Sequence, residues 1–214
     1  MCELLKSLPK MVKLAEGQFG AIYDVGNNRV MKVTKDKVDR NILELGSSSG
    51  IGPRIFGFEA CPDGRTYYIQ QKLVNPFNPE YASQLPELIT HMIESGLLHN
   101  DLHTENMMAD ETGRLYLIDF DMAEMISKVG FSEGAFRNHS RYLDMNTEET
   151  IPIQFTEHQI NRIRNIQENP VTKQAEINRK LEIQRIRDEA RRQIEERQKE
   201  AIRRITGKGK KKYI

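Results

Sequence analysis

The sequence predicts an α+β fold: a five-stranded antiparallel sheet with one helix, a reduced helical region after it, and a long C-terminal helix. Three observations carry this. The first third is built from short β-rich runs separated by turn residues. After Pro76 and Pro79 the apolar spacing becomes helical. Residues 171–205 then contain neither Gly nor Pro.

The strands are expected at 11–14, 21–25, 29–33, 55–58 and 67–73, with Gly26-Asn27-Asn28 and Cys61-Pro62-Asp63-Gly64 as turns. A short helix is expected from Val38 to Leu45, ended by Gly46 and a Ser-Gly-rich loop. Between Leu85 and Ser95, Leu88, Ile89, Met92 and Ile93 share one helical face, and Gly96 stops the run. Met107-Met108 and residues 115–118 form a hairpin around Glu111-Thr112-Gly113. Residues 127–155 carry a weak, loop-like pattern. Thr156 caps a helix to Gln167, and Asn169-Pro170 breaks it.

The net charge of +1 conceals a division. Residues 1–170 hold 17 Lys+Arg against 24 Asp+Glu, a net −7, while residues 171–214 hold 15 against 7, a net +8. An acidic body with a basic arm follows. Two cysteines, Cys2 and Cys61, make neither a disulfide framework nor a metal spacing. No apolar run approaches the roughly 18 residues of a membrane span, and the start lacks a basic-then-apolar signal pattern. The expectation is an intracellular protein with reduced thiols.

Two segments carry chemistry. Leu14-Ala15-Glu16-Gly17-Gln18-Phe19-Gly20-Ala21-Ile22 lies between two strands. Its glycines would let backbone N–H groups approach phosphate oxygens where a Cβ would intrude. The second segment is His99-Asn100-Asp101-Leu102-His103-Thr104-Glu105-Asn106, followed across the hairpin by Ile118-Asp119-Phe120-Asp121. An Asp can accept the proton of an attacking hydroxyl. An Asn five residues on and an Asp after the hairpin offer the hard oxygen ligands that Mg²⁺ takes beside ATP phosphates.

In order and spacing these segments resemble the protein-kinase signature set over roughly residues 11–125: Gly-rich loop, strand lysine, His-Arg-Asp loop and Asp-Phe-Gly. The resemblance implies a two-lobed protein-kinase-like fold. It divides the chain into an N-lobe of about 1–73, a reduced C-lobe of about 74–155, a helical extension at 156–206 and a Lys-rich tail at 207–214. It implies an ATP-dependent phosphotransferase, a Ser/Thr protein kinase, using Mg²⁺. Gly17 and Gly20 would cover the phosphates, flanked by Leu14 and Ile22. Lys32 would meet the α- and β-phosphates. Gln71 and Leu73 would bind adenine through their backbones. Asp101 would be the base, with Asn106 and Asp119 on the metal and His103 touching a phosphate or the acceptor. The helix carboxylate that orients Lys32 is Asp39 or Glu44; spacing favours Asp39.

The departures from that pattern are Ala15 for the first glycine, Asn100 for the arginine, Asp121 for the last glycine, and no Ala-Pro-Glu afterwards. The loss of the arginine argues for constitutive activity. His-Asn-Asp is similar to choline-type kinases and Ile-Asp-Phe-Asp to lipopolysaccharide sugar kinases, so a small-molecule or sugar kinase is the alternative. A pseudokinase binding module is the second. The short chain also resembles truncated viral and effector kinases, which would place it in a host cell. Along the tail Ile177, Leu181, Ile183, Ile186, Ala190 and Ile194 make a broken stripe. That arm is expected to dock on the acidic body or to bind nucleic acid or another acidic partner.

Overall fold

The computed structural model describes residues 3–6, 8, 11–17, 20–35 and 37–207. A short helix α1 (Glu3–Lys6) leads into β1 (Val12–Glu16), β2 (Gly20–Gly26) and β3 (Arg29–Thr34). Helix α2 (Arg40–Ser48) follows, then β4 (Ile55–Ala60) and β5 (Thr66–Gln71). All five strands pair antiparallel in the order β1-β2-β3-β5-β4, so the fold is α+β with a small N-terminal lobe built on this sheet.

The period-two alternation of a strand sorts β3 between two environments. Met31 and Val33 face a small outer core with Tyr67, Ile69 and Cys61, against which Leu4 and Leu8 pack. Lys32 points to the opposite face, opposite Tyr68 in the register, and Tyr68 belongs to the main core. Cys61 is disulfide-bonded, against the expectation of reduced thiols; Cys2 lies outside the described residues. Helix α2 does not stop at Gly46 as its sequence suggests. A Cβ there would lie 3.2 Å from the Phe120 ring, and one at Gly52 only 2.7 Å from it, so these two glycines serve as a slot for Phe120.

The second half begins with a two-residue strand β6 (Asn75–Pro76) and a short 3-10 turn, Pro79–Gln84. Next come α3 (Leu85–Glu94), β7 (Leu97–Leu98), β8 (Met107–Ala109) and β9 (Leu115–Leu117). The main core sits here: Ile89, Met92, Ile93, Leu97, Met107 and Leu117 are fully buried. Gly96 takes φ +84° just past α3, the left-handed turn that ends a helix at low cost only for glycine. After β10 (Glu124–Met125), the segment expected to be loop-like from about 127 to 155 is ordered as most of α4 (Ile126–Val129), α5 (Glu133–His139) and a hairpin of β11 (Arg141–Asp144) with β12 (Glu149–Pro152).

Helix α6 (Glu157–Glu168) starts at Thr156 with a full capping box to Gln159. Arg162 ties it to α3, bonding Glu87 at 3.0 Å and Glu94 at 2.6 Å. Pro170 does not end the helical region but opens α7 (Pro170–Gly207), where its missing N–H costs nothing. The first turns of α7 rest on the body: Thr172 is buried, and a Cβ on Gly130 would meet Glu176 within 2.6 Å. From Ile177 to Gln198 every residue is exposed, including Leu181, Ile183, Ile186 and Ile194. The lysine tail at 208–214 lies outside the described residues. Among the described residues no helix is long and apolar enough to cross a membrane.

Candidate active site

A cavity of about 460 Å³ opens between the sheet and the start of the second half, within the size range of small-ligand sites. Gly17, Gly20, Ile22 and Lys32 line it from the sheet side, and Asp101, Asp119 and Asp121 from the other. Residues nearly 90 positions apart therefore share one wall. Strand β3 delivers Lys32, the turn after β7 delivers Asp101, and the turn after β9 delivers Asp119.

The glycine loop has two different glycines. Gly20 N-terminates β2 opposite Thr34, and a Cβ on it would sit 2.1 Å from Val33 O, so strand pairing itself excludes a side chain. Gly17 has open space around its Cβ position, and its N–H donates to Gly20 O at 2.8 Å. Gln18 and Phe19 lie outside the described residues.

The Asp101 loop is held by a network. Asn106 donates through Nδ2 to Asp101 O at 3.1 Å and to Asp101 Oδ2 at 2.9 Å. With both amide hydrogens used, its Oδ1 is the atom left to accept or to ligate. His103 Nε2 lies 3.3 Å from Asp101 Oδ2, and its Nδ1 is buried without a hydrogen bond among the described residues. Asn100 adopts φ +65° and Asp119 φ +62°, left-handed conformations that only Asn, Asp and Gly adopt readily. Asn100 Nδ2 donates to Met122 O at 3.1 Å and to Glu124 at 3.2 Å, which fastens the loop to the segment after Asp119.

Beneath the loop lies a residue that sequence reading missed. His139, fully buried at the end of α5, accepts through Nε2 from the N–H groups of His99 at 3.0 Å and Asn100 at 3.1 Å. Its Nδ1 donates to Ala135 O at 2.7 Å, so the ring is neutral. Burial holds its pKa below the ordinary histidine value, and the same is true of His99. A lone histidine in a weakly patterned segment gives no signal in sequence that it will meet a loop forty residues upstream.

Lys32 is where the structure departs most from expectation. Its Nζ sits 2.5 Å from Asp119 Oδ1 and 3.4 Å from Asp121 Oδ2. Asp39 is not at Lys32. It caps α2, accepting from Asn41 N–H at 2.9 Å, and its other oxygen meets Lys128 at 3.4 Å. Glu44 pairs with Arg40 on the surface at 2.7 Å. The N-cap role explains the correction, because the Asp39 carboxylate is held before α2 by Asn41 N–H and Lys128 and not beside Lys32. For Asp119, burial raises the pKa but the Lys32 ammonium outweighs it and leaves the carboxyl below its usual range. For Asp121, burial dominates and lifts the pKa to about 6.

Five further expected positions are not on the cavity wall: His103 and Asn106, which instead contact the wall residue Asp101, and Leu14, Gln71 and Leu73. Leu14 is half exposed on β1. The Gln71 N–H is already donated to Arg54 O at 2.8 Å, and Leu73 is buried. Neither Gln71 nor Leu73 lines the cavity as the adenine contact the resemblance implied.

A family model described as "Phosphotransferase enzyme family" matches residues 70–126, the stretch that carries Asp101, Asn106, Asp119 and Asp121. The hormonally up-regulated neu tumor-associated kinase of Homo sapiens is 31% identical over 78 residues, which is 35% of this chain and 11% of that protein. Serine/threonine-protein kinase PKH3 of Eremothecium gossypii is 26% identical over 117 residues, 49% of this chain and 16% of that protein. Over these stretches the chain is similar to the protein-kinase-like superfamily. Serine/threonine-protein kinase ppk31 of Schizosaccharomyces pombe is 35% identical over 49 residues, 23% of this chain and 5% of that protein. The aligned stretches span less than a fifth of the length of these relatives. The chain pairs a five-stranded antiparallel sheet with a second half of short strands and helices.

Proposed function

We propose that this chain transfers the γ-phosphoryl group of Mg-ATP to a Ser or Thr hydroxyl of a protein. The observation that supports it most is the convergence of Lys32, Asp101 and Asp119 on one cavity with Asn106 bonded to Asp101. The donor set fits magnesium, which prefers hard oxygens and keeps most of its shell for water and phosphate. Asp119 and the Asn106 Oδ1 would hold the ion, and the ion would neutralise charge on the transferring phosphoryl group. Lys32 would orient the α- and β-phosphates, while Gly17 would let the loop backbone approach them. Asp101, fixed by the Asn106 amide, would accept the proton of the attacking hydroxyl. Since the geometry does the work, the chain's task is to position and to stabilise charge.

Two of the similar proteins are named serine/threonine-protein kinases, which supports a protein acceptor. A small-molecule acceptor is the second reading. The β11–β12 hairpin favours it by crowding the outer side of the catalytic loop: Leu143 N–H donates to Leu102 O at 3.0 Å, and Met145 N–H to Thr104 Oγ1 at 3.1 Å. The test incubates the purified chain with labelled ATP alone, with basic and casein-like proteins, and with choline and sugar acceptors. Label in protein supports the first reading, label in the small alcohols the second. Label in none supports a binding module. In the active case Asp101→Asn lowers turnover by about 10²–10⁴-fold. Survival of activity within tenfold refutes Asp101 as the base.

A further inference from the structure

A lysine that must hold two phosphates needs an anion at its side to fix the ammonium. Helix α2 does not supply one here, because Asp39 is spent on the helix cap and Lys128 while Glu44 lies with Arg40 on the surface. Lys32 instead touches two carboxylates that leave the same short turn, Asp119 and Asp121. Asp119 is the one that the phosphotransferase reading commits to the metal, so it cannot also remain the lysine's dedicated partner. Asp121 can. Its side chain is as secluded as that of Lys32, each 17% exposed. Among the described residues its ion pair is with Lys32, through Oδ2 at 3.4 Å, and its buried Oδ1 has no hydrogen-bond partner there. The turn itself is anchored, since Phe120 fills the slot between Gly46 and Gly52 and Asn100 bonds Met122 O.

We infer that Asp121 is the positioning carboxylate of Lys32, taking the part that a carboxylate on helix α2 was expected to play. The lysine is then tied to the turn that bears the metal ligand, and α2 has no charge to deliver for the site to assemble. This inference rests on the phosphotransfer reading for its consequence but not for the pair itself.

The experiment uses the full chain and the variants Asp121→Asn, Asp121→Glu, Glu44→Gln, Lys32→Met and the Lys32→Met/Asp121→Asn double. The first readout needs no catalysis: the rate at which an amine-reactive acylating reagent labels Lys32 in nucleotide-free protein, read by mass spectrometry in a background that carries Asp119→Asn, which removes the closer carboxylate at 2.5 Å. Asp121→Asn raises that rate at least about threefold by releasing a charge-assisted contact, whereas Glu44→Gln leaves it unchanged. The second readout is kinetic. Asp121→Asn lowers kcat/KM for ATP by about 10–100-fold, the range that loss of a charge-assisted contact gives. Asp121→Glu recovers part of the loss, and the double variant is no worse than Lys32→Met alone. Unchanged Lys32 labelling in Asp121→Asn overturns the inference. So does a larger kinetic loss in Glu44→Gln, or a raised Mg²⁺ requirement with additive losses, which would put Asp121 on the metal instead. A wild-type chain that transfers no phosphate refutes the phosphotransfer reading, while the labelling result still decides the pair.

Discussion

Replacing His139 by Leu keeps an apolar side chain of similar bulk and removes the one acceptor that holds two successive N–H groups of the catalytic loop. The His99 bond is wholly buried, so its donor is left without a partner at a cost of about 1–3 kcal/mol. The Asn100 residue is exposed, and water can satisfy its N–H, so it adds little. For a chain of this size each kcal/mol lowers Tm by about 2–4 °C, giving a fall of roughly 2–12 °C. Because Asp101 follows these two residues directly, the loop also loses its alignment, and kcat falls more than KM for ATP rises. His139→Gln, which retains an acceptor oxygen, is milder on both counts. The wild-type chain shows a matching pH dependence. The folded-state pKa of His139 lies below its unfolded value of about 6.5, so its contribution is fully present above that pH. It is lost as the pH falls from there through the depressed folded pKa, because the unfolded chain binds the proton first. Thermal melting at pH 7.5 and 5.5, with steady-state kinetics at pH 7.5, reads all of this. A Leu variant with unchanged Tm, unchanged kcat and the same pH slope would refute the reasoning.

Gly17→Ala leaves Tm within about 1 °C, since open space surrounds the Cβ position, but weakens Mg-ATP binding measured by thermal shift. Gly20→Ala lowers Tm by several degrees because the new methyl collides with Val33 O; equal effects of the two would contradict the assignment of one to the ligand and the other to the sheet. Asp119→Ala abolishes the stabilisation that Mg-ATP gives the wild type, about 2.7 kcal/mol at a hundredfold excess over Kd, and an undiminished shift would remove Asp119 from the site. A chain ending after Lys180 melts and turns over like the full chain, because residues 181–198 are all exposed. One ending at Asn169 loses the contact of Thr172 and Glu176 with the body and melts lower by calorimetry.

The sheet and its helices were legible because their signals are local. The Asn27-Asn28 turn, the alternation along Arg29–Thr34, the Ile89-Met92-Ile93 face and the Thr156 cap each act within a few residues, and the structure forms all of them. Residues 127–155 were not legible. Helices of four and seven residues and a hairpin of two four-residue strands are too short for a period to show, and packing against α7 and the Asp101 loop is what holds them. The same division runs through the site. Sequence spacing picked out Asp101, Asn106 and Asp119, since an Asp-x₄-Asn and an Asp beyond a hairpin are fixed by the chain's own order, and the resemblance to the kinase signature added Lys32. It could not say which carboxylate would stand beside Lys32, because Asp39, Glu44 and Asp121 differ there only in three-dimensional position. The tertiary structure decided that by spending Asp39 on a helix end and Glu44 on a surface arginine, and it placed His139 under a loop forty residues away. Partners at such separation are chosen by the packing of whole elements, which no local pattern encodes.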